Sequence, residues 1–166
     1  RKTNVHWIEK AQNGVIRGLS SRNGWSAKWY SSMNKPASQK PTHIEFVNER
    51  ADSIPTNSEL KLDDDELYHA PKGGRTEAKK LLNSFLNSRG EKYRSEMSSP
   101  LTAIDSCSRL SPHIAFGTIS IKEIYHSTTN RLQDLKDNST HPAKDWIQSL
   151  KSFSSRLRWH CHFIQK

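Results

Sequence analysis

The stretch Ser106-Cys107-Ser108-Arg109-Leu110-Ser111-Pro112-His113-Ile114-Ala115-Phe116-Gly117 brings hydroxyls, a thiol and an arginine to the approach of a short apolar segment. Proline in the first turn of a helix has no orphan amide to lose, so Pro112 marks a helix start, with Ser111 expected as its cap. Amides at such a start point outward and favour an anion. An ordinary capped helix has the same residues, and the neighbours decide between the two readings.

Upstream, a helix is predicted from about Gly74: Thr76 and Glu77 suit its first turn, Ala78, Leu81, Leu82 and Phe85 form an apolar stripe, and Arg89-Gly90 closes it. Tyr93 and Met97 fall in a short helix that Ser98-Ser99-Pro100 ends, because proline restricts the residue before it. Downstream, a helix is expected from about Ser120 to Leu135, with Ile121, Ile124, Tyr125 and Leu132 inward, followed by a polar turn over Asp134 to Thr140. Pro142 opens a final helix carrying Trp146, Leu150, Phe153, Leu157 and Ile164 on one face. The chain after residue 73 therefore reads as all helical.

The first seventy residues are less regular. Val15, Ile16, Leu19, Trp25, Trp29 and Met33 have near-helical spacing that Gly18 and Gly24 interrupt, which predicts two short helices. Lys35 to Pro41 is a connector by composition, His43-Ile44-Glu45-Phe46-Val47 alternates like one short strand, and Asp52 to Lys72 is an acidic, irregular linker. No internal repeat is visible.

Composition constrains the whole. Of the 166 residues only 33% are hydrophobic, and the mean hydropathy of -0.86 is low for a self-sufficient globule of this length. Long exposed segments, or surfaces that partners cover, are expected. A formal net charge of +9, from 26 basic and 17 acidic residues, favours a polyanion such as nucleic acid, although the basic residues are spread along the chain rather than gathered in one arm. No apolar run is long enough to cross a membrane. The opening Arg1-Lys2-Thr3-Asn4 has neither an initiator methionine nor an apolar signal core, so an excised piece of a soluble intracellular protein is expected.

Cys107 and Cys161 are the only cysteines, too few for a disulfide framework and without the spacing of a zinc knuckle. In His160-Cys161-His162 the side chains diverge by about 100° per residue on a helix, so no metal is expected there.

Ser108-Arg109-Leu110-Ser111-Pro112, Ala115-Phe116-Gly117 and Ile119-Ser120 together resemble the signature of the FAD-binding helical domain of DNA photolyases and cryptochromes. Gly73-Gly74-Arg75-Thr76-Glu77-Ala78, the spacing of Tyr93 to Pro100, and Leu157-Arg158-Trp159 match further landmarks of that family in the same order. The resemblance covers residues 73–166 well. It is weak over the first seventy, where Gly24-Trp25-Ser26-Ala27-Lys28-Trp29 resembles the family's interdomain region. It implies a mainly α fold with at most one short strand. Residues 1–72 would be an interdomain connector and the end of an α/β antenna domain, and residues 73–166 the first part of the FAD-binding domain.

What the resemblance implies for individual residues is specific. Ser108, Arg109, Leu110 and Ser111 would hold the diphosphate of FAD, Tyr93 would close the cradle, and Cys107 stands where a threonine is usual, a weaker hydrogen-bonding group. Phe153 falls where a large aromatic lines the flavin pocket. Trp159 falls beside the lesion-binding cavity, where an indole can stack on a flipped pyrimidine. Each has a plain alternative: Arg109 as a fork for carbonyls, Tyr93 and Trp159 as packing rings, and Leu110 as a core side chain. Arg156 stands where photolyases that repair cyclobutane dimers usually carry glutamate, and His160 where they carry arginine.

For a complete protein, the resemblance implies light-driven electron transfer from FAD to pyrimidine dimers in ultraviolet-damaged DNA, with an antenna chromophore, if present, held by the missing domain. A cryptochrome-like blue-light receptor without repair activity is the alternative, and charge alone would also suit a plain DNA-binding helical module. The second half of the flavin site would come from the remainder of the polypeptide, so the piece alone is expected to be inactive.

Overall fold

The computed structural model describes residues 7–8, 14–46, 52–63, 70–137 and 143–165. Among them the regular structure is helical: α1 Trp25–Asn34, α2 Arg75–Asn87, a 3-10 turn Arg89–Lys92, α3 Tyr93–Glu96, α4 Ala103–Ser106, α5 Ser111–Ala115, α6 Ile121–Asp137 and α7 Lys144–Ile164. The fold is mainly α, as the sequence pattern requires. Residues Arg1–Ala37 and Gly73–Lys166 form one compact unit, and Ser38–Lys72 forms another.

The core of the larger unit is made by the stripes that periodicity marks out. Ala78, Leu82, Phe85 and Leu86 of α2, Ile121 and Ile124 of α6, and Leu150, Phe153 and Leu157 of α7 are buried together. Helix α1 joins them with Trp25, Trp29 and Met33 at four-residue spacing. Its C-terminal end is fastened to α6 where His126 Nε2 donates to the Met33 carbonyl at 2.6 Å and the Tyr125 hydroxyl donates to Asn34 Oδ1 at 3.2 Å. Among the described residues the Trp29 indole N–H meets no nitrogen or oxygen acceptor. The Cys161 sulfur, a weak acceptor, is the polar group it meets, and burial pushes that thiol's pKa up while the indole pulls it back.

Several expectations are corrected. Residues 14–34 contain one helix rather than two, because Gly14, Gly18 and Gly24 take positive φ (75°, 63° and 71°) that α-helix geometry does not allow; residues 12 and 13 lie outside the described residues. No strand forms at His43–Phe46: an extended segment needs a neighbour for its ladder, and among the described residues it finds none, while Val47 lies outside them. Helix α6 runs on to Asp137, whose carboxylate accepts from Gln133 Nε2 at 2.9 and 3.0 Å one turn back, so the polar turn starts later than Asp134. Pro142 lies outside the described residues, and α7 starts at Lys144 after Ala143. Ile164 is 48% exposed, and the inward place near that end belongs to Cys161.

In the smaller unit the clearest local order is a turn over residues 56–62. The Glu59 carboxylate accepts from the Thr56 amide at 2.7 Å and its hydroxyl at 2.9 Å, and these bonds lower its pKa.

Candidate functional site

The segment between α4 and α5 carries the residues that the sequence singles out. Cys107 ends α4 in an extended conformation, Arg109 takes the left-handed φ of 59°, and Leu110 returns to φ -88° as the N-cap of α5. The cap is therefore Leu110 and not Ser111. Ser111 is the first helical residue, no side chain caps the helix, and Pro112 occupies the first turn as expected. Leu110 is fully buried and anchors the loop in the core, whereas Arg109 and Ser111 are exposed and Ser108 is half-buried.

A left-handed residue followed by a right-handed one turns successive amides toward the same side, the geometry of an anion-binding concavity. Ser108 Oγ accepts from the Leu110 amide at a long 3.4 Å. The amides of Ser108 and Arg109 have no acceptor among the described residues. Free amides, two hydroxyls and an exposed guanidinium are the donor set that a diphosphate needs, so this end of the site fits the group that the family resemblance implies.

Tyr93 and Phe153 meet behind the loop. Their rings are 5.7 Å apart edge to face, and Phe85 contacts both, at 5.6 Å from Tyr93 and 4.5 Å from Phe153. All three rings are buried, so Phe153 is at once a core residue and a neighbour of Tyr93. Burial raises the Tyr93 phenol's pKa, the Cys107 thiol raises it further, and the Arg156 guanidinium works against both. The structure thus brings Tyr93, Cys107, Phe153 and Arg156 together from three separate segments. The Cys107 thiol, half-buried, is itself pushed up by desolvation and drawn down by Arg89.

Trp159 belongs to a different neighbourhood. It is 46% exposed, its ring lies 5.8 Å from that of Phe163, and the Arg156 guanidinium carbon sits 5.8 Å from its centroid. With Trp25, Ser26, Arg158 and His162 it lines a pocket of about 210 Å³ between the start of α1 and the end of α7. The Arg156 charge lies over the Trp159 ring and is also felt at the Tyr93 phenol. Of the neighbouring trio, His162 packs edge to face on Trp25 at 5.4 Å, Cys161 is buried, and His160 holds a buried Nδ1 that has no hydrogen-bond partner among the described residues. Among the described residues no three His, Cys, Asp or Glu side chains are placed to hold a metal ion.

Three residues that the sequence did not flag shape the site. Arg89 binds the carbonyls of Asp105 and Cys107. Buried Ser149 on α7 accepts from the Arg94 amide at 3.1 Å, tying α3 to the helix of Phe153. His113 is buried in α5: the Thr118 hydroxyl donates to the His113 carbonyl at 3.2 Å and so accepts from Nδ1–H at 3.0 Å, bracing the turn at Gly117, whose φ is 68°. Only Arg89 had a readable signal, since an arginine just past a helix end commonly seeks carbonyls.

No family model and no solved structure matches the chain. Over 142 residues it is 27% identical to the deoxyribodipyrimidine photo-lyase of Halobacterium salinarum, an alignment covering 83% of this chain and 28% of that protein. The chain is similar to a photo-lyase. It spans a little over a quarter of that relative's length, and the alignment takes in most of the chain. No described helix is long and apolar enough to cross a membrane.

Proposed function

We propose that this chain is part of a photolyase-type flavoprotein that acts on ultraviolet-damaged DNA. Residues 73–166 would supply the first part of the FAD-binding helical domain, and residues 1–72 the connector that precedes it. The observation that carries this reading is the packing of Tyr93 on Phe153, with the charges of Cys107 and Arg156 felt at its phenol, within a chain 27% identical to a deoxyribodipyrimidine photo-lyase over 142 residues.

In this reading Ser108, Arg109 and Ser111 hold the diphosphate through amides, hydroxyls and charge, and Leu110 fixes the loop through its buried side chain. Tyr93 closes that end with its phenol. Phe153 sets the wall behind it, and Trp159 offers an exposed indole on which a base can stack. Bound FAD would supply the light-driven electron transfer, while the protein binds, orients and keeps water away. Residues elsewhere in the polypeptide complete the pocket, so residues 1–166 alone bind FAD weakly or not at all.

The deciding measurement is the absorbance spectrum of the full-length protein as purified, followed by blue-light-dependent loss of lesions from irradiated DNA. A flavin band with lesion turnover supports the reading, and no flavin after reconstitution sinks it. Arg156 favours a second reading, because a cation replaces the carboxylate expected at a dimer-binding site. A cryptochrome-like receptor would show a flavin photocycle and leave the lesions intact.

A further inference from the structure

Arg89 sits two residues past the end of α2 and spans two parts of the chain. Its Nε donates to Ser84 Oγ at 2.9 Å and its Nη2 to the Leu81 carbonyl at 3.4 Å, both on α2. Its Nη1 donates to the carbonyls of Asp105 at 3.1 Å and Cys107 at 2.5 Å. One half-buried guanidinium thereby fastens the last turns of α2 to the strand of backbone that enters the 107–111 loop.

A trans peptide sets its C=O and N–H on opposite sides, so the Cys107 carbonyl drawn onto Arg89 turns the Ser108 N–H away from it. The amides of Ser106 and Cys107 are already committed to the Thr102 and Ala103 carbonyls at 3.1 and 3.0 Å. Those of Ser108 and Arg109 are the first in this stretch that meet no acceptor among the described residues. Like charge adds to the effect: burial and then the neighbouring Arg109 cation both disfavour the charged form of Arg89, and an anion in front of the loop relieves that repulsion.

We propose that Arg89 is the positioning residue of a diphosphate cradle, holding the Cys107 carbonyl so that the Ser108 amide faces the anion, with the Arg109 amide brought beside it by the left-handed turn, while Arg89 itself stays behind the loop. The proposal rests on the flavin reading for the identity of the natural ligand, and on the loop alone for its chemistry.

The test titrates inorganic pyrophosphate, ADP, riboflavin and FAD into the full-length protein by calorimetry, for the wild type and for Arg89→Ala, Arg89→Lys and Ser84→Ala. Arg89→Ala is expected to weaken pyrophosphate, ADP and FAD by about 10- to 100-fold, the size of one or two hydrogen bonds to a charged group, and to leave riboflavin unchanged. Arg89→Lys keeps the charge but cannot span three carbonyls and a hydroxyl, so it should show most of that loss, and it carries the test should the alanine variant not fold. Ser84→Ala removes an anchor on α2 only and should keep pyrophosphate affinity within about twofold. Wild-type pyrophosphate affinity in Arg89→Lys, or a riboflavin loss equal to the pyrophosphate loss, overturns the proposal, as does a wild type that binds no pyrophosphate. A wild type that binds pyrophosphate but not FAD overturns the flavin reading instead, and the Arg89 variants still decide the role of Arg89.

Discussion

The Ser149 hydroxyl, buried in α7, donates to the Glu91 carbonyl at 2.6 Å across 58 positions of sequence. The same oxygen accepts from the Arg94 amide, so one side chain holds both flanks of Tyr93. Ser149→Ala leaves a buried carbonyl and an amide unpaired. A loss of about 1–3 kcal/mol is expected, read as a lower midpoint in denaturant at unchanged slope. An unchanged midpoint would mean that water replaces the hydroxyl without cost.

Gly90 has no room for a side chain. A Cβ there would lie 2.5 Å from the Phe85 carbonyl oxygen and 3.0 Å from the Phe85 ring. Backbone cannot move aside as a flexible side chain can, so Gly90→Ala should cost about 1–3 kcal/mol and disturb the Phe85, Tyr93 and Phe153 rings. Thermal melting measures the first effect, and near-ultraviolet circular dichroism of the aromatic residues the second.

His160 provides a pH dependence with a definite sign. Burial lowers its pKa, and its buried Nδ1 has no partner among the described residues, so the folded protein prefers the neutral ring. The unfolded chain takes up the proton first as pH falls below about 6.5, the ordinary histidine value. The contribution is therefore intact above that pH and is lost as pH falls through the folded value. The wild type should lose more stability between pH 7 and pH 5 than His160→Gln does; equal slopes would assign the acid sensitivity to other groups.

Arg156 tests the substrate side of the proposed function. If it stands at the place of a dimer-binding carboxylate, Arg156→Glu in the full-length protein should create or improve repair of cyclobutane dimers. The assay is lesion loss under blue light with flavin content held equal. No gain would place Arg156 with Tyr93 and the anion cradle rather than at the lesion.

The parts of this fold that the sequence discloses are those governed by repetition. The stripe Ala78, Leu82, Phe85 and the stripe Leu150, Phe153, Leu157 repeat at helical spacing, so α2 and α7 and their inward faces could be read directly. Spacing sets which face is apolar but not how far the neighbours extend, which is why Ile164 is exposed. Polar side chains that serve distant backbone leave no such trace. Nothing near Ser149 indicates that its partner lies at Glu91, and nothing near Tyr93 indicates that Arg156 will share its surroundings. At the candidate site, the hydroxyls and cation of the 106–117 stretch could be read, whereas the left-handed turn at Arg109 could not, because arginine does not advertise positive φ as glycine does.

The attachment of α1 has a consequence for how the protein is made. Its hydrogen-bond partners come much later in the chain: Tyr125 for Asn34, His126 for Met33 and Arg158 for Ser26; and in the segment before α1, both backbone groups of Ile16 pair with the Gln165 side-chain amide at 2.6 and 2.8 Å across 149 positions. At the usual pace of translation, about 5–20 residues per second, Trp25, Trp29 and Met33 wait several seconds to half a minute on the ribosome before α6 and α7 emerge to cover them. A nascent chain halted before residue 120 should therefore be a better client for a chaperone than one that has reached residue 166.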